Sequence, residues 1–211
     1  MLRAVAFASA LRGEAALLKG DLDLAAAELQ EAVDLHHDLD AASGEALSLQ
    51  RLAEVRLARG DAEEATRLLH RALPLARWSM SARHLMQRVY GTMIEAAPDP
   101  AAARAVVDRA EATLGLVDEC YFCAIMLAVP AAKACAAVGD LEDARRHLAA
   151  AERSARHWDG TAWQASLLEV RAHLARAEGD EAAATTGLRA AADLFAEFGQ
   201  PLDEQRCRRQ R

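Results

Sequence analysis

The residues best suited to chemistry are Cys120 and Cys123, in the run Cys120-Tyr121-Phe122-Cys123. Thiols three apart share one face of a helix, and a helix N-terminus lowers a thiol's pKa. Three readings are open. A redox pair would lack the strand–turn–helix setting of a thioredoxin-type site. Half of a zinc site would need two more ligands. The chain has no second C-x-x-C, so His84 or His157 would have to arrive from neighbouring segments. The third reading is plain packing, two small side chains in an apolar helix. Haem attachment needs a histidine where Ala124 stands.

Elsewhere the chemistry thins out. There is no G-x-S-x-G, no phosphate-cradling glycine loop and no H-E-x-x-H. His36 and His37 are adjacent, so on a helix they point about 100° apart and do not easily face one ion. They read as a solvated helix end, where a cation suits the dipole. Glu63-Glu64 and Asp21/Asp23 read as acidic first turns. The expectation is a protein that is no enzyme, with no catalytic residue and no cofactor. No metal is expected; Cys120 and Cys123 are the candidate ligands should one bind.

The positioning elements are helical. In Leu49–Ala72, two amphipathic patterns flank one break, Gly60-Asp61. Glycine can close a helix in the left-handed conformation, and aspartate can cap the next one. Gly-Asp recurs at Gly20-Asp21, Gly139-Asp140 and Gly179-Asp180, with Pro98-Asp99 filling the gap, so the steps are 40, 38, 41 and 40 residues. Four columns repeat in phase around these breaks. Before them stand Gly13, Ala53, Gly91, Ala132 and Ala172. After them come Ala25, Ala65, Ala103, Ala144 and Ala184. Then follow Leu29, Leu69, Val107, Leu148 and Leu188, and finally Ala32, Ala72, Ala110, Ala151 and Ala191. A fixed period near 40 residues predicts stacked helix pairs burying each other's apolar faces. Leu52, Leu69, Leu148 and Leu188 are expected core, and Trp78 is expected wedged at a junction. Pro74 and Pro130 should bend their helices, whereas Pro100 suits a first turn.

In these columns the chain resembles the tetratricopeptide repeat family, which sets a small residue in helix A and an Ala, large apolar, Ala series along helix B. The resemblance covers essentially the whole chain. It departs in period, the usual repeat being about 34 residues, and in the helix A aromatic, replaced by Ala16, Arg56, Cys135 and Ala175. It implies an all-α tetratricopeptide-like solenoid of about five helix-turn-helix repeats, a right-handed superhelix. The chain would be a single helical-repeat domain over 1–211. Its repeats would span about 2–39, 41–78, 79–115, 116–157 and 158–200, with 201–211 starting a further or capping helix. Helix A of this family lines the concave groove. Carried over, that frame gives Gln50, Arg51 and Glu54, then Arg88, Thr92 and Glu95, then Lys133, then Glu169, His173 and Arg176. Mixed signs there suit an extended peptide or protein segment.

Composition agrees with a helical protein. The 211 residues are 53% hydrophobic and 27% charged, with 5 prolines and 4% aromatics. A net charge of −7 argues against gripping nucleic acid phosphates. No uncharged apolar run is long enough to span a membrane. The apolar run Ala4–Leu11 is short and closed by Arg12, so it reads as structure rather than a signal peptide. Four cysteines in such a chain imply reduced thiols and the cytoplasm.

Several longer phrases carry a closer resemblance: GEALSLQRLAEVRLARGD, ALPLARWS, QRVYGTMIEAAPDPAAARAVVD, VGDLEDARRHLAAAERSA, WDGTAWQASLLEVRAHLARAEGD and FGQPLDEQRCRR. They are similar to the helical-repeat region of large bacterial LuxR-type transcriptional regulators, where an ATPase module precedes the repeats and a helix-turn-helix often follows. The resemblance implies a non-enzymatic sensory or interaction arm cut from a longer protein, with DNA contacted by a domain outside these residues. Expected partners are a protein, a peptide or a small effector. The alternatives are a thiol- or zinc-based sensor on Cys120 and Cys123, or a homo-oligomerisation scaffold.

Overall fold

A computed structural model describes residues 1–115, 120 and 122–210. The described residues form eleven α-helices and no strand. They divide into two compact units, Met1–Ala96 and Ala97–Arg211.

The first unit holds α1 (Leu2–Leu18), α2 (Leu22–Asp38), α3 (Ala42–Ala58), α4 (Ala62–Arg77) and α5 (Ala82–Glu95). Each packs on the next, and α3 also packs on α1 and α5. The second unit holds α6 (Pro100–Leu114), α7 (Ile125–Ala137), α8 (Leu141–Ala155), α9 (Trp163–Ala177), α10 (Glu181–Glu197) and α11 (Pro201–Arg209). Successive helices pack here too, and α7 also packs on α9. Arg104 ties α6 to the start of α8, reaching Asp140 at 2.6 Å and Asp143 at 2.8 Å. The arrangement within each unit is helix-pair packing of a repeating kind.

The Gly-Asp break works because two residues end one helix and begin the next. The Gly60 N–H donates to the Leu57 carbonyl and the Asp61 N–H to the Arg56 carbonyl, each at 2.9 Å. These two bonds satisfy the orphan carbonyls of α3. They require φ of +81° at Gly60, a conformation open to glycine at little cost. The Asp61 carboxylate then accepts the Glu64 N–H at 3.1 Å and caps α4. Asp21, Asp140 and Asp180 cap their helices in the same way, and Asp99 does so ahead of Pro100, the first residue of α6.

The four sequence columns are the cores of the pairs. Every column alanine and glycine is buried, as are Leu29, Leu69, Val107 and Leu188. Small residues matter where helices nearly touch: a Cβ on Gly13 would stand 2.6 Å from the Leu29 Cγ.

Four expectations are corrected. Leu148 is only half-buried against the core of the second unit, because His147 takes the inward position and sets its Nε2 3.2 Å from Glu111. Trp78 is 84% exposed; it is the C-cap of α4, beyond the last buried residue, Ala76. His36 is buried rather than solvated, since Gly44 leaves room for its ring and Phe7 meets it edge-on at 5.3 Å. Finally, α7 starts at Ile125, so Cys120 and Cys123 lie ahead of the helix rather than on it. Pro74 and Pro130 both lie inside continuous helices.

Candidate functional site

The first helices carry polar residues at one or both of two positions one turn apart: Glu14, Gln50 and Glu54, Arg88 and Thr92, Lys133, and Glu169 and His173. Spacing of four on a helix puts both on one face. In each unit these positions meet across neighbouring first helices and build one polar cluster.

In the first unit the cluster joins α1, α3 and α5. The Arg51 guanidinium pairs with Glu14 and, at 2.6 Å, with Glu54. Arg88 lies 3.4 Å from the same Glu14 oxygen and donates from Nε to Gln50 Oε1 at 3.3 Å. The Gln50 amide donates to the Thr92 hydroxyl at 2.8 Å and to Glu54. The Thr92 hydroxyl stands 3.3 Å from Glu54 and 3.2 Å from the Arg88 carbonyl. Gln50, Arg88 and Thr92 are buried, while Glu14, Arg51 and Glu54 are half-buried. Burial would raise the Glu14 pKa, but Arg51 and Arg88 outweigh it and hold the carboxyl below its usual range. Burial lowers Arg88 and His84, and the neighbouring arginine charge pushes the same way.

In the second unit the cluster joins α7, α9 and α11 around Glu169, whose residue exposure is 0%. Arg206 grips it with two hydrogen bonds, Nε to Oε1 at 2.9 Å and Nη2 to Oε2 at 2.7 Å. Such a fork is the strong geometry for arginine on a carboxylate. Lys133 Nζ lies 3.6 Å away and His173 Nε2 4.0 Å away. Arg206 also pairs with Asp203 and sits over the Phe195 ring, 5.7 Å from its centroid. Burial works against the Glu169 charge, yet Lys133 and Arg206 hold its pKa at about 2. Burial, with Lys133 adding to it, pushes His173 down to about 4. The imidazole is therefore neutral at pH 7. Arg176 stands off the cluster, donating to Glu181 at 3.1 Å and to the Gln210 carbonyl at 2.9 Å.

Of the residues expected on the inner face, the structure thus gathers Gln50, Arg51, Glu54, Arg88 and Thr92 in one unit, and Lys133, Glu169 and His173 in the other. Glu95 is exposed at the end of α5, outside the first cluster. Two members went unread in the sequence, Glu14 and Arg206. Glu14 shares its column with Glu54. Arg206 follows Glu169 by 37 residues, the same separation as Glu14 to Arg51. One period less one helical turn is the signal for a contact between neighbouring first helices.

The cysteine pair is close in space. The Cys120 thiol donates to the Cys123 sulfur at 3.0 Å, with Cys120 half-buried and Cys123 buried. Tyr121 lies outside the described residues. His157 does approach this turn, its ring tilted 42° to that of Phe122 with centroids 4.7 Å apart. Among the described residues no group of three or more His, Cys, Asp or Glu is placed to hold a metal ion. No described helix is long and apolar enough to cross a membrane. Compared with models of protein families and with curated proteins, the chain matches none.

Proposed function

We propose that the chain is a tetratricopeptide-like helical-repeat domain, a right-handed solenoid of about five pairs, that binds an extended peptide, a protein segment or a small effector. It would act as the non-enzymatic sensory and interaction arm of a bacterial LuxR-type transcriptional regulator. The observation that carries the reading is the division of labour between helices. The second helix of each pair supplies the sealing Ala–Leu–Ala columns, while the first helices concentrate charged and amide side chains in fixed, mutually bonded geometry. Preordered polar groups of both signs can exchange an internal partner for a ligand's carboxylate, amine or backbone amide at low entropic cost. The half-buried Glu14, Arg51, Glu54, Lys133 and His173 are the cluster groups within reach of such a ligand.

The test is selection of peptides from a random displayed library against the full chain. Enriched peptides are expected to lose binding tenfold or more on Glu54→Ala or Lys133→Ala. Binders indifferent to both substitutions, and sensitive instead to exposed residues of the second helices such as Glu63 or Arg189, would contradict it. The regulator reading is checked by reading the gene beyond codons 1 and 211, where it expects an ATPase module and a helix-turn-helix.

A further inference from the structure

The four cysteines are of two kinds. Cys135 and Cys207 are buried inside α7 and α11. Burial pushes their thiols up to about 11 and about 12 respectively, so both stay protonated at neutral pH. Cys120 and Cys123 lie outside any helix, next to the start of α7. The Cys123 N–H donates to the Cys120 carbonyl at 3.0 Å. A bond between residues three apart closes a turn whose ends lie within about 7 Å, the range in which a disulfide can form. The side chains already converge, sulfur to sulfur at 3.0 Å. Cys120 is partly open to solvent and Cys123 is covered.

This turn is anchored to the link between α8 and α9. The Trp158 indole N–H donates to the Phe122 carbonyl at 2.8 Å, and the Phe122 and His157 rings meet at a tilt, centroids 4.7 Å apart. Two residues past the turn's end, the Ile125 N–H donates to the Ser154 hydroxyl at 3.3 Å. A change in the cysteine turn therefore reaches both the start of α7 and the end of α8.

We propose that Cys120 and Cys123 form a reversible dithiol–disulfide switch that responds to hydroperoxides. Cys120, the accessible thiol, attacks the terminal oxygen of the hydroperoxide. The O–O bond breaks, the alcohol leaves, and Cys120 becomes a sulfenic acid. The Cys123 sulfur then attacks the Cys120 sulfur and expels water. In sum, two thiols and one hydroperoxide give one disulfide, one alcohol and one water; the cysteines lose two electrons and two protons, and the hydroperoxide gains them. A thiol reductant reverses the step by exchange. The switch stands independently of the peptide-binding reading above.

The test uses the reduced full chain, treated with hydrogen peroxide and followed by intact mass and peptide mapping. The expected product has lost two hydrogens, carries a Cys120–Cys123 crosslink, and regains them with dithiothreitol. Cys123→Ser is expected to stop at a sulfenic acid on Cys120, trapped by dimedone. Cys120→Ser is expected to give neither product. Four free thiols under conditions that crosslink the same chain in urea would overturn the proposal. So would a crosslink through Cys135 or Cys207, or a chelator-sensitive zinc mass on the reduced chain in native mass spectrometry, which would make the pair a metal site.

Discussion

In Met1–Ala96 two arginines and two glutamates interleave, with Gln50 and Thr92 bridging them; in Ala97–Arg211 one buried glutamate holds a lysine, an arginine and a neutral histidine. Both clusters centre on the same two positions of the first helices, with Arg51 and Arg206 reaching in from outside them. The difference is redundancy. Arg51 has two carboxylate partners, Glu14 and Glu54, so losing either leaves the other. Glu169 is the shared partner of Lys133 and Arg206, and it is wholly buried. A repeat architecture thus fixes where polar groups meet but not how the charge is distributed among them.

The largest expected effect follows from that asymmetry. Glu169→Gln removes the charge that Arg206 and Lys133 share in the second unit. Breaking a buried pair by deleting one partner costs about 3–5 kcal/mol, read as a drop in the urea midpoint of the second unit. Glu14→Gln in the first unit is expected to cost about 1–2 kcal/mol, since Arg51 keeps Glu54 and Arg88 keeps its bond to Gln50. Equal losses would break the comparison.

Acid should act on the second cluster next. The folded His173 pKa of about 4 lies below its ordinary 6.5. Between those values the unfolded chain binds more protons than the folded one, so stability falls as pH falls from 6.5 towards 4. The loss amounts to at most about 3 kcal/mol at 1.36 kcal/mol per pKa unit. Glu169, depressed from 4.5 to about 2, adds a second loss below pH 4.5. His173→Gln is expected to shallow the first window in denaturation curves of the second unit, with the remainder left to His147, which burial also lowers, and to leave the second window in place. An unchanged slope between pH 6.5 and 4 would show that folding does not depress the His173 pKa.

A smaller effect sharpens the role of the neutral bridges. Thr92→Val leaves the Gln50 amide without its hydroxyl partner and should cost about 1 kcal/mol. Smallest of all, Arg171→Ala removes an exposed pair with Glu152 and is expected to fall within the error of the same measurement.

The helix-pair packing was legible in the sequence because its signals are local and periodic. Gly60-Asp61 encodes a helix end and a cap in two residues, and the Ala and Leu columns mark the buried stripe. The site was partly legible. The helix A frame implied by the resemblance pointed to Gln50, Arg88 and Glu169, whereas their partners Glu14 and Arg206 depend on the offset between neighbouring first helices, which one helix does not reveal. Trp78 and Leu148 were misread for a related reason. Apolar character says that a side chain can be buried, but the rotation of α8 and the cap of α4 decide whether it is.

The most direct test of the central claim is hydrogen exchange of the full chain with and without a peptide selected from the displayed library. The account predicts that binding slows exchange on the first helices α3, α5, α7 and α9, and leaves the second helices α2, α4, α8 and α10 unchanged. Protection confined to the second helices or to the links would contradict it.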